Sequence, residues 1–445
     1  MRLLLAALVA VNGYRAATQS ITTDEAFAYN LYVANPLPEV VKIFDASHHV
    51  LQTLLVRASV AALGLSEFSV RLPTVLGGAL FFFAVYRLCR RLFGRGWMFR
   101  AAVASVALNP FVLDFLSAAR GYGLALGFWA WALDGMAAAL EKPAEARMAR
   151  IGVALGLAVA ANLTFLIPVA AFALVFLLMI RRRPLALALP ALLAAAVFLA
   201  VPLSYAERSK FYYGTASLWQ SLAGLAEFAF RFYGPDPADA NFYFGPFMAR
   251  AVVFFEALAP AILLGAALGM RRDRMLMLFG GGALLTLAAL VAAHYTAGMP
   301  YPEGRTGIYW MPLITLLGFV LARRMPAGFR AAGTTLGLLA AVHFALEFNV
   351  NYYAEWRFAA GARRIAREIR ARDTGPVRIV SSMELEPPLN FYRQMWGVHW
   401  QQIDRRPVTD PGDYRVFVSH DRRLAEQMPV TVLYHHPLSR ALLAK

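Results

Sequence analysis

The feature that most constrains this chain is a succession of apolar blocks 15 to 22 residues long, among them 73–87, 101–116, 184–204, 251–270 and 275–293. A helix rising about 1.5 Å per residue needs roughly 20 mostly apolar residues to cross a hydrocarbon core about 30 Å thick. These blocks approach or meet that length. A transmembrane β-barrel would instead show alternating strands of about ten residues, and the sequence has none of that pattern. With 59% hydrophobic and 16% charged residues in 445, the composition is that of a chain dissolved in lipid. The expected fold class is an α-helical polytopic membrane protein.

The formal charge of +16 does not point to nucleic acid. Its arginines fall in short clusters beside hydrophobic ends, at 87–100, 147–150, 181–183, 271–274 and 323–330, where they set orientation and meet anionic lipid. With Arg2 also inside, the chain must cross twice between successive clusters. The stretch 151–180 would make a helix of about 45 Å, too long for one upright crossing, so it is read as two short helices broken at Asn162-Leu163-Thr164. Between residues 18 and 100 only one of two apolar stretches can span. The stretch 48–65, with His48, His49, Gln52, Arg57 and Ser59, is therefore read as an interfacial helix in the first outer loop.

About eleven crossings result, near 3–18, 73–91, 98–116, 121–140, 150–161, 165–180, 184–204, 250–270, 275–294, 306–322 and 331–348. The N-terminal MRLLLAALVAVNGYRAATQS resembles a signal peptide but is taken as the first span. Residues 1–349 form the expected transmembrane domain. From about 350 the long apolar blocks cease, and an Arg-rich amphipathic helix at 355–372 precedes β-type runs at 377–380, 414–418 and 431–434. These imply a small extracytoplasmic α/β domain at 350–445. The single Cys89 excludes an intrachain disulfide and a zinc site built on cysteines.

Chemistry-bearing residues gather on the outer side. The loop TTDEAFAYN carries Asp24 and Glu25 directly after the first span, either as acids in a capped first helical turn or as reactive carboxylates. In FDASHHVLQTLL, Asp45 lies three and four residues before His48 and His49. On a helix the three could group, to bind a divalent cation together with Asp24, to orient a phosphate, or simply to anchor at headgroup level. SAARGYG places Arg120 beside Tyr122 at an outer turn. A guanidinium fork there suits a phosphate, in a substrate or in lipid. MPYPEGRTG adds Glu303 and Arg305, and Glu207, Arg208 and Lys210 follow the 184–204 block. The aromatic stretch 211–247 fits an interfacial belt or a sugar- or prenyl-contacting surface.

The order of these motifs, with SEFSVRLPTVLGGAL between the second acid and Arg120, resembles the GT-C membrane glycosyltransferases, in particular the group of protein O-mannosyltransferases and the lipid A aminoarabinose transferase. The resemblance covers residues 1–205; later spans match only in topology. It implies an inverting transfer outside the cytoplasm, from a polyprenyl-phosphate sugar to a hydroxyl of a lipid, glycan or protein. Asp24 would be the base, supported by Glu25. Arg120, with His48, His49 and Arg305, would hold the donor phosphate, and Asp45, Tyr122 and Glu303 would contact substrate. No cofactor is required, although a divalent cation at Asp24, Asp45, His48 and His49 is allowed. The chain departs from the family at Ser47-His48-His49-Val50, where relatives have a His-Pro-Pro or Lys-Pro-Pro segment. The implied location is the cytoplasmic (inner) membrane of a bacterium, with the N-terminus inside. A polytopic transporter or lipid flippase is the main alternative, but the acids cluster at one face, no halves repeat, and Asp114 and Asp134 are the exceptions within spans. A non-catalytic scaffold presenting the C-terminal domain is a third.

Overall fold

A computed structural model describes residues 1–181, 183–211, 213–230 and 245–445; Arg182, and Tyr212 and residues 231–244 of the aromatic stretch expected at 211–247, lie outside the described residues. Among the described residues seven helices are long and apolar enough to cross a membrane: Glu67–Phe93, Tyr122–Glu141, Leu163–Ile180, Pro184–Leu203, Ala249–Arg272, Arg274–Ala297 and Gly304–Ala322. The other expected spans are helices too, shorter or less apolar: Arg2–Thr18, Trp97–Ala107, Met148–Ala161 and Ala327–Glu347.

Local chemistry explains the boundaries. The span expected at 73–91 begins earlier, because Ser66 and Ser69 form a reciprocal cap that starts the helix at Glu67 and carries it through Pro73. The span expected over 98–116 is not one helix. Asn109 caps a separate turn, Pro110–Phe115, and the missing N–H of Pro110 ends the preceding ladder. The break inside 151–180 falls at Asn162, whose side chain accepts from the Thr164 N–H at 3.0 Å. Helices Glu67–Phe93 and Tyr122–Glu141 pack backbone to backbone: a methyl on Gly127 would lie 2.4 Å from the Gly77 carbonyl oxygen, so only glycine permits the approach.

One end of the bundle gathers basic residues. Arg2 reaches the Tyr86 hydroxyl, Arg87 and Arg91 pair with Asp134, and Arg323 donates to the Leu92 carbonyl. The opposite end carries the first loop. There the helix Val50–Leu63 is tied down by Arg57, whose guanidinium donates to the carbonyls of Tyr32, Val33 and Asn35 at 3.1, 2.9 and 2.7 Å.

The C-terminal part holds a four-stranded sheet, β1 Ile379–Ser381, β2 Tyr414–Phe417, β3 Val432–His435 and β4 Leu442–Ala444, in the order β1-β2-β4-β3. β1 and β2 are parallel and the remaining pairs antiparallel. The first three strands stand where the β-type runs were expected; β4, from the last residues, was not. The helix expected at 355–372 is a 3-10 turn, Ala354–Ala359, followed by Ala362–Arg372. Tyr353 and Trp356 belong to the apolar core of the bundle, whereas Ala359, Ile365, Leu389 and Val416 share a second core with Ile21, Ala26 and Tyr29 of the first loop. The sheet-bearing part and the first loop are thus packed as one body. Tyr392 donates to Glu67 and accepts from the Ile21 N–H, while Arg363 bridges Glu67 and the Thr18 carbonyl.

Candidate active site

The site is built on the short helix Thr23–Ala28, which starts at a reciprocal cap between Thr22 and Glu25. That cap turns the two acids in opposite directions. Glu25 faces inward and is sealed: its carboxylate receives Arg71 Nε at 2.8 Å and Nη2 at 2.6 Å, the Ala119 N–H at 2.7 Å and the Thr22 N–H at 2.9 Å. Both side chains of the pair are fully buried. Burial pushes the Glu25 carboxyl up, but the Arg71 charge and these hydrogen bonds more than reverse it and leave it below its ordinary value. Both Glu25 oxygens are thus occupied and shut off from solvent, which fits support of the helix that carries Asp24 and not contact with a substrate.

Asp24 faces the other way and keeps about a quarter of its side chain exposed. Arg305 Nη2 lies 3.1 Å and Arg120 Nη2 3.7 Å from its Oδ2. Neither contact has hydrogen-bond alignment, and Oδ2 has no aligned donor. Arg305 also pairs with Glu355 and lies over the rings of Tyr213 and Trp356, at 5.1 and 5.8 Å. Two guanidiniums and two carboxylates therefore meet in one half-buried cluster. Burial and the adjacent Asp24 charge hold Glu355 above its ordinary value against the pull of Arg305.

Several elements converge to place these groups. Arg120 sits on the turn before Tyr122–Glu141, and its neighbour Gly121 has φ of +72°, where a methyl would lie 2.3 Å from the Ala161 carbonyl oxygen and 2.9 Å from His49 Cβ. Glycine is required there on both counts. Glu355 is positioned by the chain just before it: the Ala354 N–H donates to Asp114 at 2.8 Å, and Arg15, paired with Asp114, donates to the Tyr352 carbonyl. Tyr353 lies between the Arg15 and Arg71 guanidiniums, 4.7 and 5.0 Å from its ring centre. Asp114, one of the acids noted within spans, thus joins the first helix to the segment that carries Glu355.

The remaining expected residues divide. His49 directly precedes the helix Val50–Leu63 without a side-chain capping bond, and its ring is 5.5 Å from that of Tyr122. Burial, then the Arg120 charge, hold it well below its ordinary value, so it is neutral. Its Nε2 has no partner, as is true of Asn162 Nδ2, Arg120 Nε and Glu355 Oε2. Buried polar atoms without partners around one charged cluster mark a place where a polar ligand would be held. His48 stacks on Tyr32 at 4.3 Å with Nδ1 2.6 Å from the Ile43 carbonyl, and its buried Nε2, like that of His49, has no partner. Asp45 accepts from Tyr32 at 2.8 Å and from the Ser47 N–H. Both hold the loop in shape. Glu303 caps its own turn against Thr306. Asp24, Asp45, His48 and His49 do not assemble as a ligand set: among the described residues the one group of three with ligand atoms within 4.8 Å of each other is Glu384, His420 and Asp421. Glu355, Trp356 and Asn162 had no place in the expected site, although an acid among aromatics directly after the last span, Tyr352-Tyr353-Ala354-Glu355-Trp356, is a usable signal; Tyr213 belongs to the aromatic stretch that was expected to contact sugar, prenyl chain or interface.

Comparison with known proteins supports this frame. Residues 47–205 match the family of dolichyl-phosphate-mannose-protein mannosyltransferases. No curated protein sequence matches the chain. The fold is similar to ArnT from Cupriavidus metallidurans in the apo state, with a TM-score of 0.56, 13% identity and coverage of 99% of this chain and 97% of that one. It is also similar to the same ArnT bound to undecaprenyl phosphate, with a TM-score of 0.51, 16% identity and the same coverage.

Proposed function

We propose that this chain, whose residues 47–205 match the protein mannosyltransferases and whose fold is of the GT-C type, transfers a sugar from a polyprenyl-phosphate donor to an acceptor hydroxyl at the Asp24 end of the bundle. The observation that carries the reading is the pairing of Asp24, whose buried Oδ2 has no aligned donor while a quarter of the side chain stays exposed, with the Arg120 and Arg305 guanidiniums. The undecaprenyl phosphate bound by ArnT supports the same donor class.

Before substrate arrives, Asp24 and Glu355 balance the two arginines. A donor phosphate brings a better match for the guanidinium forks, and Asp24 is released toward the acceptor. The acceptor oxygen then attacks the anomeric carbon as its proton passes to Asp24. The bond from that carbon to the phosphate oxygen breaks, and the electron pair leaves on the polyprenyl phosphate, stabilised by Arg120 and Arg305. One displacement inverts the anomeric centre. Neutral His49 and Asn162 supply uncharged polar groups to the headgroup, and Tyr213 and Trp356 offer ring surface to a sugar.

The step as written uses no metal. The donor-binding face is extracytoplasmic in this reading, the membrane is a bacterial inner membrane, and the N-terminus is cytoplasmic. The acceptor is a lipid, glycan or protein hydroxyl. The test is transfer from labelled polyprenyl-phosphate sugars by protein in proteoliposomes. Asp24→Asn should abolish transfer while the melting temperature stays unchanged; wild-type turnover in that variant would overturn the proposal.

A further inference from the structure

The metal chemistry sought in the first loop has its donors elsewhere. At the carboxyl ends of the parallel strands β1 and β2, where sheets of this kind commonly bind ligands, the turn after β1 faces the 3-10 turn Ser419–Asp421 after β2. Glu384 Oε1 lies 3.1 Å from His420 Nε2, and ligand atoms of Glu384, His420 and Asp421 all fall within 4.8 Å of one another. Asp421 is already oriented: its Oδ2 accepts from Ser382 Oγ at 2.5 Å, and Ser382 Oγ in turn accepts from the Val418 N–H at 3.0 Å. Such outer partners are typical of ligating carboxylates.

A second observation points to a ligand at the same place. A cavity of about 520 Å³ is lined by Ser381, Ser382, Asp421, Arg405 and Arg406. Ser381 is only 2% exposed, and its Oγ has no hydrogen-bond partner. Asp421 belongs to both the trio and the cavity wall. One imidazole with two carboxylates leaves room for a further ligand and suits borderline cations.

We propose that Glu384, His420 and Asp421 bind one divalent transition cation, of the zinc or manganese kind, at the edge of this cavity. The consequence reaches the first loop, because Thr23 Oγ1 donates to the Glu384 backbone carbonyl at 2.7 Å, and Thr23 precedes Asp24. A cation that fixes the Glu384 turn also stiffens the start of the helix carrying Asp24.

The experiment uses the full chain without a histidine tag, in nanodiscs, stripped with a chelator and titrated with zinc chloride or manganese chloride by calorimetry. Wild type should take up one equivalent of at least one of the two ions, and His420→Ala and Asp421→Asn should each bind it at least about tenfold more weakly. Amide exchange across residues 20–28 should slow with metal in wild type and not in His420→Ala. Uptake well below one equivalent of both ions, or wild-type affinity in both variants, would overturn the site. Unchanged exchange on saturation would overturn its link to the first loop.

Discussion

Asp24 and Glu25 are consecutive residues on one short helix, with the same charge and with arginine partners, one for Glu25 and two for Asp24, yet their surroundings are opposite. Glu25 has every oxygen filled by Arg71 and two backbone N–H groups, and no solvent reaches the pair. Asp24 is left with misaligned guanidiniums at 3.1 and 3.7 Å and a quarter of its side chain open. An ion pair that is completely satisfied stiffens a fold, because desolvation is offset only when all its hydrogen bonds are made. One that is incompletely satisfied is ready to exchange partners with a ligand. Under the proposed function the inner pair holds the fold and the outer cluster carries the chemistry.

The largest effect expected from breaking this contrast is Asp24→Asn. Loss of a general base lowers turnover by about 10²–10⁴-fold, with thermal unfolding and membrane insertion as in wild type. Arg71→Ala should act the other way. It leaves the Glu25 carboxylate buried without its cation, at a cost of about 3–5 kcal/mol, seen as a lower melting temperature and poor yield. The double substitution Glu25→Leu with Arg71→Met should recover only part of that loss, since it removes the unpaired charge but leaves the Thr22 and Ala119 N–H groups and the Gln19 and Ser20 carbonyls without these partners. Full recovery would show that those backbone bonds contribute little.

Arg305→Lys sharpens the contrast by a smaller step. Lysine keeps the charge but cannot address Asp24 and Glu355 with two nitrogens at once. The expected result is roughly tenfold weaker donor use, read as a raised KM with kcat nearly preserved. A fall in kcat alone would place Arg305 on the departing phosphate only in the transition state.

How much of this was legible in the sequence follows from what each signal depends on. Apolar blocks and arginine clusters are local, and they led to the helices, the break at Asn162 and the first three strands. Asp24, Arg120 and Arg305 stood out because charge at the apolar end of a span has few structural uses. The opposite fates of Asp24 and Glu25 could not be read, since both satisfy the same capping pattern and only the position of Arg71, 46 residues away, separates them. Asp45 looked like a ligand because spacing says nothing about whether Tyr32 already occupies it, whereas His48 is held at Nδ1 by the Ile43 carbonyl and keeps a buried Nε2 without a partner. Glu355 was assigned with the C-terminal region, and its return into the bundle depends on Arg15 and Asp114, whose pairing spans 99 positions of sequence.

The smallest effect expected tests the same contrast through pH. The folded Glu25 carboxyl titrates below its ordinary value of 4.5, so the folded state binds fewer protons than the unfolded one just below pH 4.5. Its contribution to stability is present above that pH and is lost as pH falls through the folded value. Glu355 is raised above 4.5, so above that pH the folded state keeps a proton that the unfolded chain has released. Its contribution is present below pH 4.5 and is lost as pH rises through the folded value. Glu355→Gln removes that second slope. Melting temperatures from pH 4 upward should therefore show the variant gaining on wild type as pH rises, whereas Glu25→Gln should fall further behind wild type over the interval where Glu25 ionises. Parallel curves for wild type and Glu355→Gln would mean that Glu355 titrates as an ordinary carboxylate.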